Sequence, residues 1–232
     1  MATTFKKLVA LTGAGISAES GINTFRDSGG LWEQYDVMEV ASIDGWRKNP
    51  QLVQRFYNER RQQLAEVAPN AAHHILAELE AHFDVTVVTQ NVDNLHERAQ
   101  SSKILHLHGE LTKARSSVDS SGVVDIGYRP IEWGEKASDG SQLRPHIVWF
   151  GEAVPMIGKA ADIVAKADIL VVIGTSLNVY PAAGLVAHAR NNTPIYLVDP
   201  SEISYPGRNM TMIREKATSG MEKLKRMLVE QP

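Results

Sequence analysis

Six short apolar runs rich in β-branched residues, 7–11, 84–89, 104–107, 147–150, 169–173 and 195–198, alternate with stretches of helical character. This alternation constrains the fold more than any other feature, because strands that alternate with helices close into a mostly parallel sheet covered on both faces. The sequence therefore predicts an α/β, Rossmann-type architecture. Asn49-Pro50 marks a helix start, with Asn as cap and Pro in the first turn, continuing to Val67 before Pro69; a second helix begins after Asn70. Residues 155–166 and 181–190 read as sheet-covering helices and 220–230 as a terminal amphipathic one. Between Thr112 and Leu143 the pattern dissolves into serine- and glycine-rich strings. Its remaining apolar residues, Val123, Val124, Ile126, Tyr128, Ile131 and Trp133, are enough for a small hairpin or ribbon.

Polar strings follow several of the runs, where open α/β sheets bind ligands, at the carboxyl ends of strands. Gly13-Ala14-Gly15-Ile16-Ser17 follows the first run and leads to Ala18-Glu19-Ser20, where a helix could start. Glycines there let backbone approach a pyrophosphate, and free amides at a helix N-terminus favour anionic oxygens. Taken alone, such a string is more often a tight βα turn without a ligand. Gln90, Asn91 and Asp93 end a buried strand, where polar side chains need partners or a ligand; Asp93 can also cap the helix over 94–99. His106 and His108 are two apart on a strand and share a face, and only the second precedes a glycine. An imidazole that titrates near ~6.5 can accept a proton at neutral pH, which suits His108 to the role of base; His106 reads as structural. His73, His74, His82, His96, His146 and His188 read as surface or packing residues. Gly174-Thr175-Ser176 follows the most hydrophobic run as a second phosphate-and-ribose turn, and Asp199 closes the next strand. A carboxylate there accepts hydrogen bonds from both ribose hydroxyls and repels a 2′-phosphate, which favours NAD over NADP. Together these strings describe a dinucleotide site with a base in it.

From Leu8 to about Ala217 the chain resembles the sirtuins, NAD-dependent protein deacylases. The resemblance rests on the three strings 13–17, 89–96 and 106–109, together with Gly21-Ile22-Asn23-Thr24-Phe25-Arg26-Asp27, His146-Ile147-Val148-Trp149-Phe150-Gly151-Glu152, Gly174-Thr175-Ser176-Leu177 and the strand from Pro194 to Asp199. It implies that NAD is held by Gly13, Ala14, Gly15, Ser17, Phe25, Arg26, Gln90, Asn91, Asp93, Gly174, Thr175, Ser176, Asp199 and Ala217. Phe25 would shield the reactive ribose and Arg26 lie near phosphate, while Trp32 is expected in the core. Gln90 would contact the nicotinamide ribose, Asn91 and Asp93 would hold the nicotinamide carboxamide, and His108 would be the catalytic base, with Gln90 and Asn91 beside it in the reaction. The expected products are free lysine, nicotinamide and O-acyl-ADP-ribose. The edges containing Val148, Phe150, Gly151 and Glu152 and containing Val179 and Tyr180 would hold an acyl-lysine peptide as an added strand. Phe56-Tyr57-Asn58-Glu59-Arg60-Arg61 matches sirtuins that remove succinyl, malonyl or glutaryl groups. A guanidinium from Arg60 can bind an acyl carboxylate bidentately, Tyr57 adds a donor, and Ala41 leaves room for a longer chain.

Two departures accompany the resemblance. Sirtuins usually carry Asn where this chain has Asp199, and most hold a structural zinc on four cysteines, whereas this chain contains no cysteine. The expectation is a zinc-free lobe over 113–143, a helical insertion over 31–67, and a Rossmann-type domain made of 1–30, 68–112 and 144–232. Small modules without a metal need an apolar core or a neighbour to lean on. Asp119, Asp125, Glu132 and Asp139 in the lobe read as solvated carboxylates, since oxygen donors without His or Cys suit structural zinc poorly.

Net charge of −3 with dispersed Lys and Arg argues against nucleic acid as a partner. The longest apolar runs are far short of the ~20 residues a membrane helix needs, no signal peptide is read, and the cytoplasm is the expected location. Two rival readings remain: mono-ADP-ribosyl transfer from the same activated ribose, and a non-catalytic NAD or ADP-ribose sensor.

Overall fold

The computed structural model describes residues 5–22, 35–177, 179–203 and 210–230. Phe25, Arg26 and Trp32 lie outside the described residues.

Strands β1 (Lys7–Thr12), β2 (Asp84–Thr89), β3 (Ile104–His106), β7 (Ile169–Ile173), β8 (Ile195–Val198) and β9 (Met210–Ile213) form one sheet in the order β3-β2-β1-β7-β8-β9. Every neighbouring pair in it is parallel. The order reverses between β1 and β7, and that switch point opens a crevice at the carboxyl ends of the two strands.

Alternation along the strands feeds two cores. Leu8 and Ala10 of β1 with Val171 and Ile173 of β7 face helices α5 (Ala71–Glu78) and α8 (Ala217–Val229), through Ile75, Leu76, Met221 and Leu224. Val9, Leu11, Leu170, Val172 and Leu197 face the opposite side, against Ala160 and Val164 of α7 (Ile157–Ala165) and Leu185 and Val186 of a 3₁₀ turn, Ala182–His188. Both faces are thus covered, as parallel sheets require. No helix among the described residues is long and apolar enough to cross a membrane.

Helix α4 (Pro50–Glu66) starts as expected, with Asn49 accepting from the Leu52 amide at 3.2 Å. It packs Val53, Phe56, Tyr57 and Leu64 into a third core with Trp46, Leu95, Leu111 and Trp149. Short helices α1 (Gly15–Ala18), α2 (Val37–Val40), α3 (Ile43–Lys48) and α6 (Leu95–Arg98) turn the chain around the crevice.

One expectation is corrected. The run 147–150 is not a strand of the parallel sheet: β6 (Leu143–Ile147) pairs antiparallel with β4 (Gly109–Ser116), in a separate sheet of order β5-β4-β6 with β5 (Val124–Asp125). β-branched composition marks an extended segment but does not name its partner. Of the apolar residues assigned to a hairpin, only Ile126 and Ile131 are buried, with Ala114 and Leu143; Val123, Val124, Tyr128 and Trp133 are exposed. That core is too small to stand alone, and α4 supplies the neighbour: Gln54 and Asn58 each donate to the Ile131 carbonyl at 3.0 Å, and Asn58 accepts from the Ile131 amide at 3.0 Å. Asp119 accepts from Ser121 of its own loop, and Asp139 from the Ser141 amide and from the Ser116 hydroxyl at the end of β4.

Candidate active site

The glycine turn after β1 and the turn after β7 pack backbone on backbone. The Gly15 amide donates to the Gly174 carbonyl at 2.9 Å, and a Cβ on Gly15 would lie 2.6 Å from the Gly174 Cα. Gly174 itself has φ +61, a left-handed conformation that side chains other than glycine's rarely adopt. These glycines are therefore required first by the meeting of the two turns. The helix starts inside the glycine string, at Gly15 rather than after Ser17, and its first amides are already paired with backbone, Gly15 with the Gly174 carbonyl, Ile16 with that of Gly13 at 3.1 Å and Ser17 with that of Ala14 at 3.0 Å.

Gln90 leaves β2 at the same level. Its amide donates to the Thr12 carbonyl at 2.9 Å and its side chain to Thr175 Oγ1 at 3.3 Å, spanning the switch point. Asn91 donates Nδ2–H to Ser17 Oγ at 3.1 Å, and Ser17 donates to Asp93 Oδ2 at 3.0 Å. Asp93 Oδ1 accepts from the Leu95 amide at 3.2 Å, so the same carboxylate that serves this network also caps α6. Burial pushes the Asp93 carboxyl up, against the pull of the Leu95 and Ser17 bonds.

Below this network two histidines not foreseen in the site meet edge to face at 5.0 Å: His73 shares a hydrogen bond with Ser17 Oγ at 3.4 Å, and His96 with Thr12 Oγ1 at 3.1 Å. Both are fully buried, and burial pulls both well down, His73 to about 4. The one available signal was the placement of His96 at the end of the 89–96 string.

His108 lies just past β3, its Nδ1 3.0 Å from the Gln90 carbonyl oxygen. A carbonyl only accepts, so Nδ1 carries the hydrogen and Nε2 keeps a lone pair. Burial lowers the pKa of His108, with the Gln90 bond opposing it, and the ring is a neutral base at neutral pH. Gly109 follows with φ +80, and a Cβ there would sit 2.0 Å from the His146 carbonyl oxygen, which is why a glycine must turn the chain from His108 into β4.

The Val148 amide donates to the His108 carbonyl at 2.9 Å, tying the base to the segment before Glu152. Phe150 in turn is held against Ala41 by its amide, 2.9 Å from the Ala41 carbonyl, and returns a bond from the Ile43 amide at 3.0 Å. Tyr57 is 2% exposed, 6.0 Å ring to ring from Trp149; burial drives its phenol to about 12, so it remains a donor. The Arg60 guanidinium lies 5.9 Å from the Tyr57 ring centroid and 5.8 Å from that of Phe56. Desolvation lowers its pKa, while Tyr57 and then Asp93 pull it back up. Phe150, Val179 and Tyr180 leave apolar surface exposed, Tyr180 at 72%.

Glu152 faces inward. Its carboxylate accepts from both Arg144 nitrogens at 2.9 and 3.0 Å, from Arg115 at 3.4 Å and from the Trp149 amide at 2.8 Å, and Arg144 stacks 3.4 Å above the Trp149 ring. The carboxylate thus orders the 148–152 segment from behind. Asp199 is buried at the end of β8, one oxygen accepting from the Ser201 amide at 2.8 Å, and Ala217 is buried at the start of α8.

Residues 13–181 match a model of the Sir2 family. The chain is 56% identical to an NAD-dependent protein deacylase of Bacteroides thetaiotaomicron over 98% of its own length and 100% of that protein, and 55% identical to one of Helicobacter pylori over 97% and 98%. A crystal structure of a Sir2 homologue with NAD superposes with TM-score 0.88 at 38% identity, over 97% of this chain and 90% of the other. A Sir2–p53 peptide–NAD complex superposes with TM-score 0.79 at 28% identity, over 98% and 95%.

Proposed function

The chain belongs to the Sir2 family and is an NAD-dependent protein deacylase, and from that premise we propose that it removes acetyl and acidic acyl groups, succinyl and malonyl among them, from protein lysines. The observation that carries the reading is His108: one ring nitrogen is anchored to the Gln90 carbonyl, at the head of the 90–93 string, and the other is held by no side chain among the described residues.

The residues fit NAD. Two abutting turns bring backbone together at the switch point, a buried amide and carboxylate would supply complementary bonds for a carboxamide, and the buried Asp199 at the end of β8 would meet the adenosine ribose. When bound, NAD supplies an activated ribose carbon that accepts the acyl group and releases nicotinamide. Asn91 and Asp93 orient the carboxamide, Gln90 the adjoining ribose, and His108 takes a proton from a ribose hydroxyl through Nε2 as the acyl group moves. Phe150, Val179 and Tyr180 would line the cleft in which an acyl-lysine peptide lies as an added strand, with the buried Tyr57 and the half-buried Arg60 at the acyl end. In a site of low polarity a guanidinium and a neutral phenol bind a carboxylate strongly, whereas an acetyl group uses neither. We also assign the NAD site to 1–30, 68–112 and 144–232, the acyl pocket to the 31–67 insertion, and the reaction to the cytoplasm.

Mass spectrometry of acetyl-lysine and succinyl-lysine peptides incubated with the protein and NAD tests this. Acyl loss should depend on NAD and on His108. Arg60→Met should lower succinyl removal by about 10- to 100-fold, the effect of losing a charge-assisted hydrogen bond, while leaving acetyl removal nearly intact. Equal losses for both peptides would refute the acidic pocket, and ADP-ribose added to a protein in place of acyl loss would refute deacylation.

A further inference from the structure

His106 has the same tether as His108 and one more. Its Nδ1 is 3.0 Å from the Asn91 carbonyl oxygen and its Nε2 is 2.8 Å from Glu97 Oε1. Both partners are acceptors, so both nitrogens must carry hydrogen and the ring is an imidazolium. Removing one proton would set a ring lone pair against either a carbonyl or a carboxylate. Burial opposes the charge, but the Glu97 bond and charge, with Glu110 and the Asn91 carbonyl, outweigh it and hold the pKa above its ordinary value. The ionisable groups around it are Glu97 and the neutral His96 from α6, Glu110 from β4, whose carboxylate also binds Lys113 at 2.8 Å, and Asp93 from the segment after β2.

Asn91 is thereby held three times, through its side chain by Ser17, through its amide by Thr89 Oγ1 at 3.0 Å and through its carbonyl by His106. We propose that the His106–Glu97 pair is a charged clamp that positions Asn91, and with it the carboxamide-binding end of the cleft, so that NAD use is limited from the alkaline side by one proton on His106. This rests on the reading of Asn91 as a carboxamide-binding group. His106 is a positioning residue, acting through Asn91. Because its folded pKa is raised, the clamp is present at and below the ordinary imidazole value and is lost as pH rises through the folded one.

The test follows the proton and the function together. Nitrogen-15 NMR of the histidine rings in the full chain, with His106 assigned by its loss in His106→Gln, should show both nitrogens protonated at neutral pH. Glu97→Gln keeps an acceptor and removes the charge, and should lower the His106 titration by about one pH unit. The alkaline limb of kcat/KM for NAD should move down by the same amount, with kcat less affected than KM. A His106 that is neutral at neutral pH in the natural protein overturns the proposal, as does a kinetic limb that stays put while the NMR titration moves. NAD affinity by calorimetry over the same pH range reads the clamp without turnover. Binding that follows the His106 titration in a protein that removes no acyl group would refute the deacylase reading and uphold the clamp.

Discussion

His106 and His108 stand two residues apart, and each is directed by Nδ1 to a carbonyl of the segment that follows β2, Asn91 for the first and Gln90 for the second. They differ at the other nitrogen. Glu97 meets His106 at 2.8 Å, whereas no side chain among the described residues holds Nε2 of His108. The carboxylate makes one ring a cation and its absence leaves the other a base, so a single partner decides whether a histidine holds structure or moves protons.

The sharpest way to break this contrast is to remove the base. His108→Ala should lower single-turnover deacylation by about 10²- to 10⁴-fold, the usual range for a general base, while NAD binding measured by calorimetry persists. Full deacylation by this variant would end the comparison.

A third kind of histidine sharpens it. His73 is buried with no carboxylate bonded to its ring among the described residues, and its pKa falls from 6.5 to about 4. With the folded value depressed, its stability contribution is complete above 6.5 and is lost as pH falls through the window down to about 4, by a few kcal/mol over that span. Urea unfolding at the two ends of the window should show the loss, and His73→Gln should reduce it; an unchanged acid dependence would show that protonation of this ring does not matter to the fold.

The smallest expected effect concerns His108 again. Its lowered pKa keeps the ring mostly neutral where an ordinary imidazole would be half protonated, so the single-turnover rate at pH 6.5 should exceed half of its plateau. A rate at or below half would mean that the ring is less buried in solution than its surroundings imply.

Much of this was legible along the chain. The runs 84–89, 169–173 and 195–198 are strands with the expected limits: 169–173 and 195–198 are continuous apolar stretches between polar or turn residues, and 84–89 is a β-branched stretch that stops at Gln90. β9 was missed because four residues with an exposed threonine carry little signal. The polar strings after β1, β2 and β7 were legible as a site because groups that end buried strands must find partners.

What the sequence by itself determined is therefore the α/β class, the position of the crevice and the residue types gathered there, since those follow from local periodicity and from the cost of burying unpaired polar groups. Tertiary structure alone decided the partners: that 147–150 leaves the main sheet, that Arg144 and Arg115 turn Glu152 inward, that α4 supports the cysteine-free lobe, and that Glu97 charges His106 and leaves His108 free. Proton positions and ion pairs depend on distances of a few ångströms between residues far apart in the chain, and no pattern along the chain encodes them.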